Sequence, residues 1–290
     1  MIIETAKHHG MCFGVRDALR ATHNIAKKKP VTLLGQLVHN PLVDRALRSM
    51  GVRSGSLEAA AESATQDVII SAHGASDTKR AELARAGLRV TDTTCPLVRK
   101  AHQALRMLVE EGYFPVVIGQ RQHTEVRGLI GDFPAACVIM ESADIHQLPA
   151  PPKIGIISQT TQPIERVLSL VNEIKCARPA SEVRFLDTVC HPTKQRQAAL
   201  EDLCRRHEVI VIIGGRNSNN TRQLVEKTTA LGRRAIHVQS ADELLPEWFA
   251  LTKSVGITAG TSTLDETVRE VVDRIRQMQD ESHPPSMRPR

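Results

Sequence analysis

The chain has 290 residues, 41% of them hydrophobic, and a formal net charge of +6, enough length for about two or three domains at ~100 to 200 residues each. Only 2% of residues are aromatic, so the core is expected to be aliphatic, and the stacking platforms that single-stranded nucleic acid requires are scarce, which argues against a nucleic-acid partner. A modest basic balance spread along the chain suits an anionic small molecule or an acidic protein, and no apolar run approaches the ~18 residues of a membrane span.

The opening MIIETAKHHG passes from an apolar, strand-like start to polar residues without the features of a secretory leader, so a cytosolic protein is expected. Cys12 follows, and then a helical pattern. VTLLGQLVHN at 31–40 reads as a strand ending at Gly35 and a polar turn with His39, continued by the helical pattern NPLVDRALRSM. DVIISAHGAS at 67–76 is a second strand with His73 at its end. VTDTTCPLVRKAHQAL at 90–105 is a third, leading through Asp92 to Cys95 and into a helix that starts at Pro96, a position where proline is well tolerated.

The same order then recurs. PVVIGQRQHTE at 115–125 ends its strand at Gly119 and presents His123 and Glu125; KIGIISQTTQP at 153–163 is the next strand; RFLDTVCHPTKQRQAAL at 184–200 leads through Asp187 to Cys190. VIVIIGGRNSNN at 209–220 and SVGITAGTST at 254–263 carry Ser218, Asn219, Asn220 and Ser262 at their strand ends, and TRQLVEKTTALG and TLDETVREVVDRIRQM are helical patterns. The offsets from Cys12 to Gly35, Cys95 to Gly119 and Cys190 to Gly214 are 23, 24 and 24 residues. An internal repeat of strand, cysteine, helix and strand predicts an α/β fold of three similar βαβ lobes, with small, mostly parallel sheets around a pseudo-threefold axis. The lobes are expected at 1–95, with the N-terminal strand and Cys12, at 96–188 and at 189–280, followed by a flexible tail at 281–290.

In parallel sheets, function gathers beyond the carboxyl ends of the strands. If those ends face inward, Cys12, Cys95 and Cys190 meet at the centre as three thiolates with no fourth. Soft sulfur ligands select an iron–sulfur cluster, zinc or copper(I), and three cysteines leave a cubane with one open iron; three-cysteine zinc is the competitor. Six cysteines without any C-x-x-C pair exclude a zinc ribbon, and Cys137, Cys176 and Cys204 lack the repeat context and are expected to be structural. His39, His73, His123, Ser218, Asn220 and Ser262 have no metal-ligand spacing but stand at strand-to-helix turns that favour an anion, so together they suggest a phosphate pocket. The alternative for the hydroxyls and amides is helix capping, with Thr263 and Glu266 in capping-box spacing. Glu125 is a candidate proton donor if its surroundings tune it. Asp92 and Asp187 are expected to bond local backbone.

Nine motifs in order carry a resemblance over Met1 to about Met278: GMCFGV, LVHN, SAHG, DTTCPLV, HTEVRG, SQTT, DTVCHPTKQRQ, GRNSNN and TAGTST. The chain resembles the 4-hydroxy-3-methylbut-2-enyl diphosphate reductase family of the non-mevalonate isoprenoid pathway. The resemblance implies an oxidoreductase of the bacterial cytoplasm with a central [4Fe-4S] cluster on Cys12, Cys95 and Cys190, whose open iron takes the allylic hydroxyl of a diphosphate substrate. It implies substrate binding by His39, His73, His123, Ser218, Asn219, Asn220 and Ser262, proton delivery by Glu125, Thr160 and His123, and electrons from ferredoxin or flavodoxin, with no membrane or nucleic-acid partner. The products implied are isopentenyl and dimethylallyl diphosphate. The chain departs from the usual motifs at Thr124, in place of proline, at Asn219, in place of serine, and at Gln195, in place of asparagine.

Overall fold

The computed structural model describes residues 1–282. In chain order the first elements are β1 (Ile2–Thr5), α1 (Phe13–Ala26), β2 (Thr32–Leu34), α2 (Pro41–Ser49), β3 (Arg53–Gly55), β4 (Asp67–Ile70), α3 (Asp77–Arg85) and β5 (Arg89–Asp92). Next come α4 (Pro96–Glu110), β6 (Phe114–Ile118), α5 (Thr124–Ile130), β7 (Cys137–Ile139), β8 (Lys153–Ser158), α6 (Ile164–Ala177) and β9 (Glu182–Phe185). The last are α7 (His191–Arg206), β10 (Val209–Ile213), α8 (Asn219–Ala230), β11 (Arg234–Val238), β12 (Ser254–Ala259) and α9 (Asp265–Ser282). None of these helices is long and apolar enough to cross a membrane.

The strands form three four-stranded sheets of orders β3-β2-β4-β5, β7-β6-β8-β9 and β11-β10-β12-β1, and every pairing is parallel. The α/β fold with three similar sheets is therefore borne out. In each sheet the strand that runs on to a repeat cysteine, β5, β9 or β1, occupies the same edge. The chain divides into two compact units, Phe13–Lys194 with the first two sheets, and Met1–Cys12 joined by the residues from Gln195 onward, with the third.

One expectation is corrected here. The N-terminal strand was expected in a lobe of residues 1–95, yet β1 pairs with β12, Ile2 opposite Ser254 and Thr5 opposite Ile257. The sheet of residues 32–92 already has β5 on that edge. After β12 the described chain continues only as α9, so the free backbone groups of β12 would stay unpaired without β1. At the other end α9 runs through Ser282, two residues into the segment expected to be a tail; 283–290 lie outside the described residues.

The inner strands β2, β4, β6, β8, β10 and β12 are short, largely apolar and buried, as parallel strands covered by helices on both faces must be. Val209, Val211 and Ile213 of β10 pack with Val268, Val271 and Ile275 of α9, while Ile210 and Ile212 pack with Leu200 and Leu203 of α7 and Leu224 of α8. In β6, Val116 and Ile118 face Val167, Leu170 and Ile174 of α6, and Val117 faces Leu105 and Leu108 of α4 and Val126 and Leu129 of α5. Alternate residues thus feed two layers, and the largest fully buried side chains are all leucine and isoleucine.

Candidate active site

The three repeat cysteines share one backbone arrangement. Each lies between its edge strand and the following helix, and each donates its N–H to the carbonyl two residues beyond the neighbouring strand: Cys12 to Thr261 after β12 (3.0 Å), Cys95 to Ala72 after β4 (3.0 Å) and Cys190 to Thr160 after β8 (2.9 Å). None of the three is in a disulfide, and each is of intermediate burial. Asp92 and Asp187 shape the approach as expected, accepting from Thr94 N–H (2.9 Å) and Val189 N–H (3.0 Å). At Gly14, two residues after Cys12, a Cβ would collide with Cys95 Sγ. Of the other cysteines only Cys204 is buried, while Cys137 is half-buried on β7 and Cys176 is exposed on α6, so burial does not account for Cys176.

Within Phe13–Lys194 the histidines converge. His39 precedes Asn40, the N-cap of α2; His73 follows β4; His123 is the N-cap of α5. Their ring centroids are 4.6 Å (His39 to His73), 5.1 Å (His39 to His123) and 5.4 Å (His73 to His123) apart, and their ligand atoms all lie within 4.8 Å of one another. Sequence spacing gave no hint of this cluster, because the three loops meet only when β2, β4 and β6 are in place. His123 Nδ1 accepts from Glu125 N–H (3.1 Å), so its neutral ring carries the proton on Nε2 as a donor. Burial, and then the neighbouring His39 and His123, push the pKa of His73 well below the usual histidine value.

Glu125, in the first turn of α5, is 2% exposed. Its Oε1 accepts from Thr160 N–H (2.7 Å) and its Oε2 from the Thr160 hydroxyl (3.0 Å). Burial raises its pKa to about 7, with the two Thr160 hydrogen bonds opposing the rise. Thr160 thus joins the acid, through its N–H and hydroxyl, to Cys190, through its carbonyl. Thr124 takes the first position of α5, where proline is tolerated but not required, and Glu125 remains aimed at Thr160.

In the other unit Ser218 is the N-cap of α8, its hydroxyl accepting from Thr221 N–H (3.3 Å), so the capping role holds for this residue. Asn219, Asn220 and Ser262 are buried. Asn220 Oδ1 accepts from Thr261 N–H (3.0 Å), and the buried Nδ2 has no hydrogen-bond partner among the described residues. Thr263 does not cap α9: its hydroxyl donates to Ile213 O (3.0 Å) at the end of β10.

The same turn depends on two glycines. The Thr221 hydroxyl occupies the space that a Cβ on Gly214 or Gly260 would need. Gly260→Ala is expected to lower the protein's unfolding free energy by about 1–3 kcal/mol through overpacking, measured by urea denaturation. Thr221→Ala in the same chain should recover most of that loss; no recovery would show that the collision is not its cause.

The family model described as LytB protein matches residues 3–276. The chain belongs to the LytB family. Among curated relatives of this LytB protein, the 4-hydroxy-3-methylbut-2-enyl diphosphate reductase of Aquifex aeolicus is 38% identical over 280 residues, covering 94% of this chain and 95% of the relative. The reductase of that name from Geobacter metallireducens is 36% identical, covering 96% and 98%. Among solved structures, the E-1-hydroxy-2-methyl-but-2-enyl-4-diphosphate reductase from Plasmodium falciparum superposes with a TM-score of 0.87 at 26% identity, covering 94% of this chain and 87% of that one. A second, (E)-4-hydroxy-3-methyl-but-2-enyl diphosphate reductase, the terminal enzyme of the non-mevalonate pathway, gives a TM-score of 0.69 at 36% identity, covering 96% and 100%. The membership expected from the nine motifs, and with it the assignment to a reductase family, is borne out. Sequence reasoning about the LytB chain missed Gly14 as a residue that makes room for a cysteine, although its motif, GMCFGV, contains both glycine and cysteine.

Proposed function

We propose that this LytB protein reductively dehydroxylates (E)-4-hydroxy-3-methylbut-2-enyl diphosphate to isopentenyl and dimethylallyl diphosphate, with a [4Fe-4S] cluster held by Cys12, Cys95 and Cys190. The observation that carries the reading is the repeated cysteine placement, three cysteines outside any disulfide with the same N–H donation, one of them joined through Thr160 to a buried acid. The donor set fits such a group: the sulfurs are soft ligands, three of them leave one iron without a protein ligand, Gly14 leaves space at Cys95, and the Thr193 hydroxyl lies 3.1 Å from Cys190 Sγ as a supporting contact. When bound, the cluster supplies single electrons and an open iron that acts as a Lewis acid on the allylic hydroxyl.

The chain's own residues supply binding and protons. His39, His73 and His123, with Ser218, Asn219, Asn220 and Ser262, take the diphosphate; His123 Nε2–H and Asn220 Nδ2 are donors that support this role. Holding the doubly charged tail orients the reacting carbon. Glu125 is the proton donor. In its protonated form Oε1 keeps the Thr160 N–H, Oε2–H turns to the Thr160 hydroxyl, and that hydroxyl is freed to pass its own proton toward the leaving oxygen. A pKa of about 7 keeps a substantial fraction protonated near neutrality. The net charge of +6 suits an acidic ferredoxin or flavodoxin as electron donor in the cytoplasm.

Anaerobic purification with iron and sulfide analysis, followed by a dithionite-driven assay on the hydroxymethylbutenyl diphosphate, tests the reading. Brown, cluster-loaded protein that turns over is expected. Colourless zinc protein would overturn the cluster, and loaded protein without turnover would overturn the reaction.

A further inference from the structure

The repeat makes the three cysteines alike in backbone but unlike in one neighbour. Three residues after Cys12 and Cys95 stand Val15 and Val98; three residues after Cys190 stands Thr193. All three positions are buried, Thr193 completely. Thr193 N–H donates to Cys190 O (3.0 Å) in the first turn of α7, and its hydroxyl lies 3.1 Å from Cys190 Sγ. A threonine near a helix start commonly turns its hydroxyl to a backbone carbonyl; here the hydroxyl meets sulfur. With a protonated thiol either atom could donate, but a metal-bound thiolate has no proton, so there the hydroxyl must be the donor.

We propose that the Thr193 hydroxyl tunes the redox centre, donating to the Cys190 thiolate and making that ligand inequivalent to Cys12 and Cys95. The proposal rests on the cluster reading above. A hydrogen bond to a ligating sulfur withdraws negative charge from it, and reduction adds negative charge, so the reduced state gains more from the bond than the oxidised state. The bond therefore raises the reduction potential and eases acceptance of each electron from the donor. Valine has nearly the same shape as threonine and already occupies the equivalent place twice, so the repeat supplies the control substitution.

Reconstituted wild type, Thr193→Val, Thr193→Ala and Thr193→Ser are compared by iron and sulfide content, by optical redox titration and by resonance Raman spectra in light and heavy water. In wild type, one iron–cysteine stretching band is expected to shift in heavy water. Thr193→Val should keep the cluster, titrate at a more negative potential and lose that shift; Thr193→Ala should behave likewise, and Thr193→Ser should restore both signatures. Loaded wild type without a solvent-sensitive band, or a loaded valine variant with wild-type potential and band, would overturn the tuning role while leaving the cluster intact. Wild type that binds no iron and sulfide would overturn the cluster reading and the tuning role with it.

Discussion

Glu125→Gln is expected to lower turnover by roughly 10²–10⁴-fold, the usual contribution of a positioned proton donor, without loss of bound iron. The substitution suits the site: glutamine Oε1 can keep the Thr160 N–H, and its Nε2 can donate to the Thr160 hydroxyl, so neither partner is left bare. The sign of the pH dependence follows from the raised pKa. Turnover by wild type should fall as pH rises through about 7, as the protonated donor is lost, and the residual activity of the glutamine variant should lack that limb. Stability moves in the same direction. The folded carboxyl keeps its proton up to about pH 7 while the unfolded one loses it near its ordinary value of 4.5, so the stability linked to this group is complete below the unfolded pKa and is lost as pH rises to the folded one. That linkage amounts to about 3 kcal/mol as an upper estimate. Urea denaturation of the apo-protein should therefore show the glutamine variant gaining on wild type between pH 5 and pH 8. A variant with near-wild-type turnover would remove Glu125 from proton delivery.

Cys95→Ser is expected to abolish the cluster and reduce turnover to background. A serine oxygen is a hard, smaller ligand where a soft thiolate is needed, and with two sulfurs left the centre has no stable ligation. This side chain is half-buried and is not among the apolar residues that pack β6 against α4, α5 and α6. Unfolding of the apo-protein should therefore remain within about 1 kcal/mol of wild type. Iron analysis and apo-protein denaturation together separate loss of a ligand from loss of fold; retained iron with activity would remove Cys95 from the ligand set.

Much of the fold was legible because β2, β4, β6, β8, β10 and β12 are runs of buried apolar residues, and such runs declare themselves locally. The edge strands β3, β7 and β11 were not read as strands. RSG and CVI are three residues long, too short for any periodicity, and RAIHV is half-exposed; their pairing with β2, β6 and β10 is a tertiary event. The swap of β1 into the third sheet was hidden for the same reason, since a four-residue strand carries no mark of its partner. The histidines were individually visible as strand-end residues, but their convergence depends on loops from two different sheets.

The sequence by itself determined the family, the principal strands, the three equivalent cysteines and the candidates around them, because buried strands, glycine turns and repeated motifs are written in neighbouring residues. Only the tertiary structure decided which sheet receives β1, that His39, His73 and His123 form one cluster, that Thr160 links Glu125 to Cys190, and that Thr193 touches a cysteine sulfur. The first three join segments remote in the chain, whereas the Thr193 contact lies within one helical turn and is set by the side-chain geometry there. The pKa of the Glu125 carboxyl reaches about 7 because burial removes its water, and the Thr160 that bonds it lies 35 residues away in the chain.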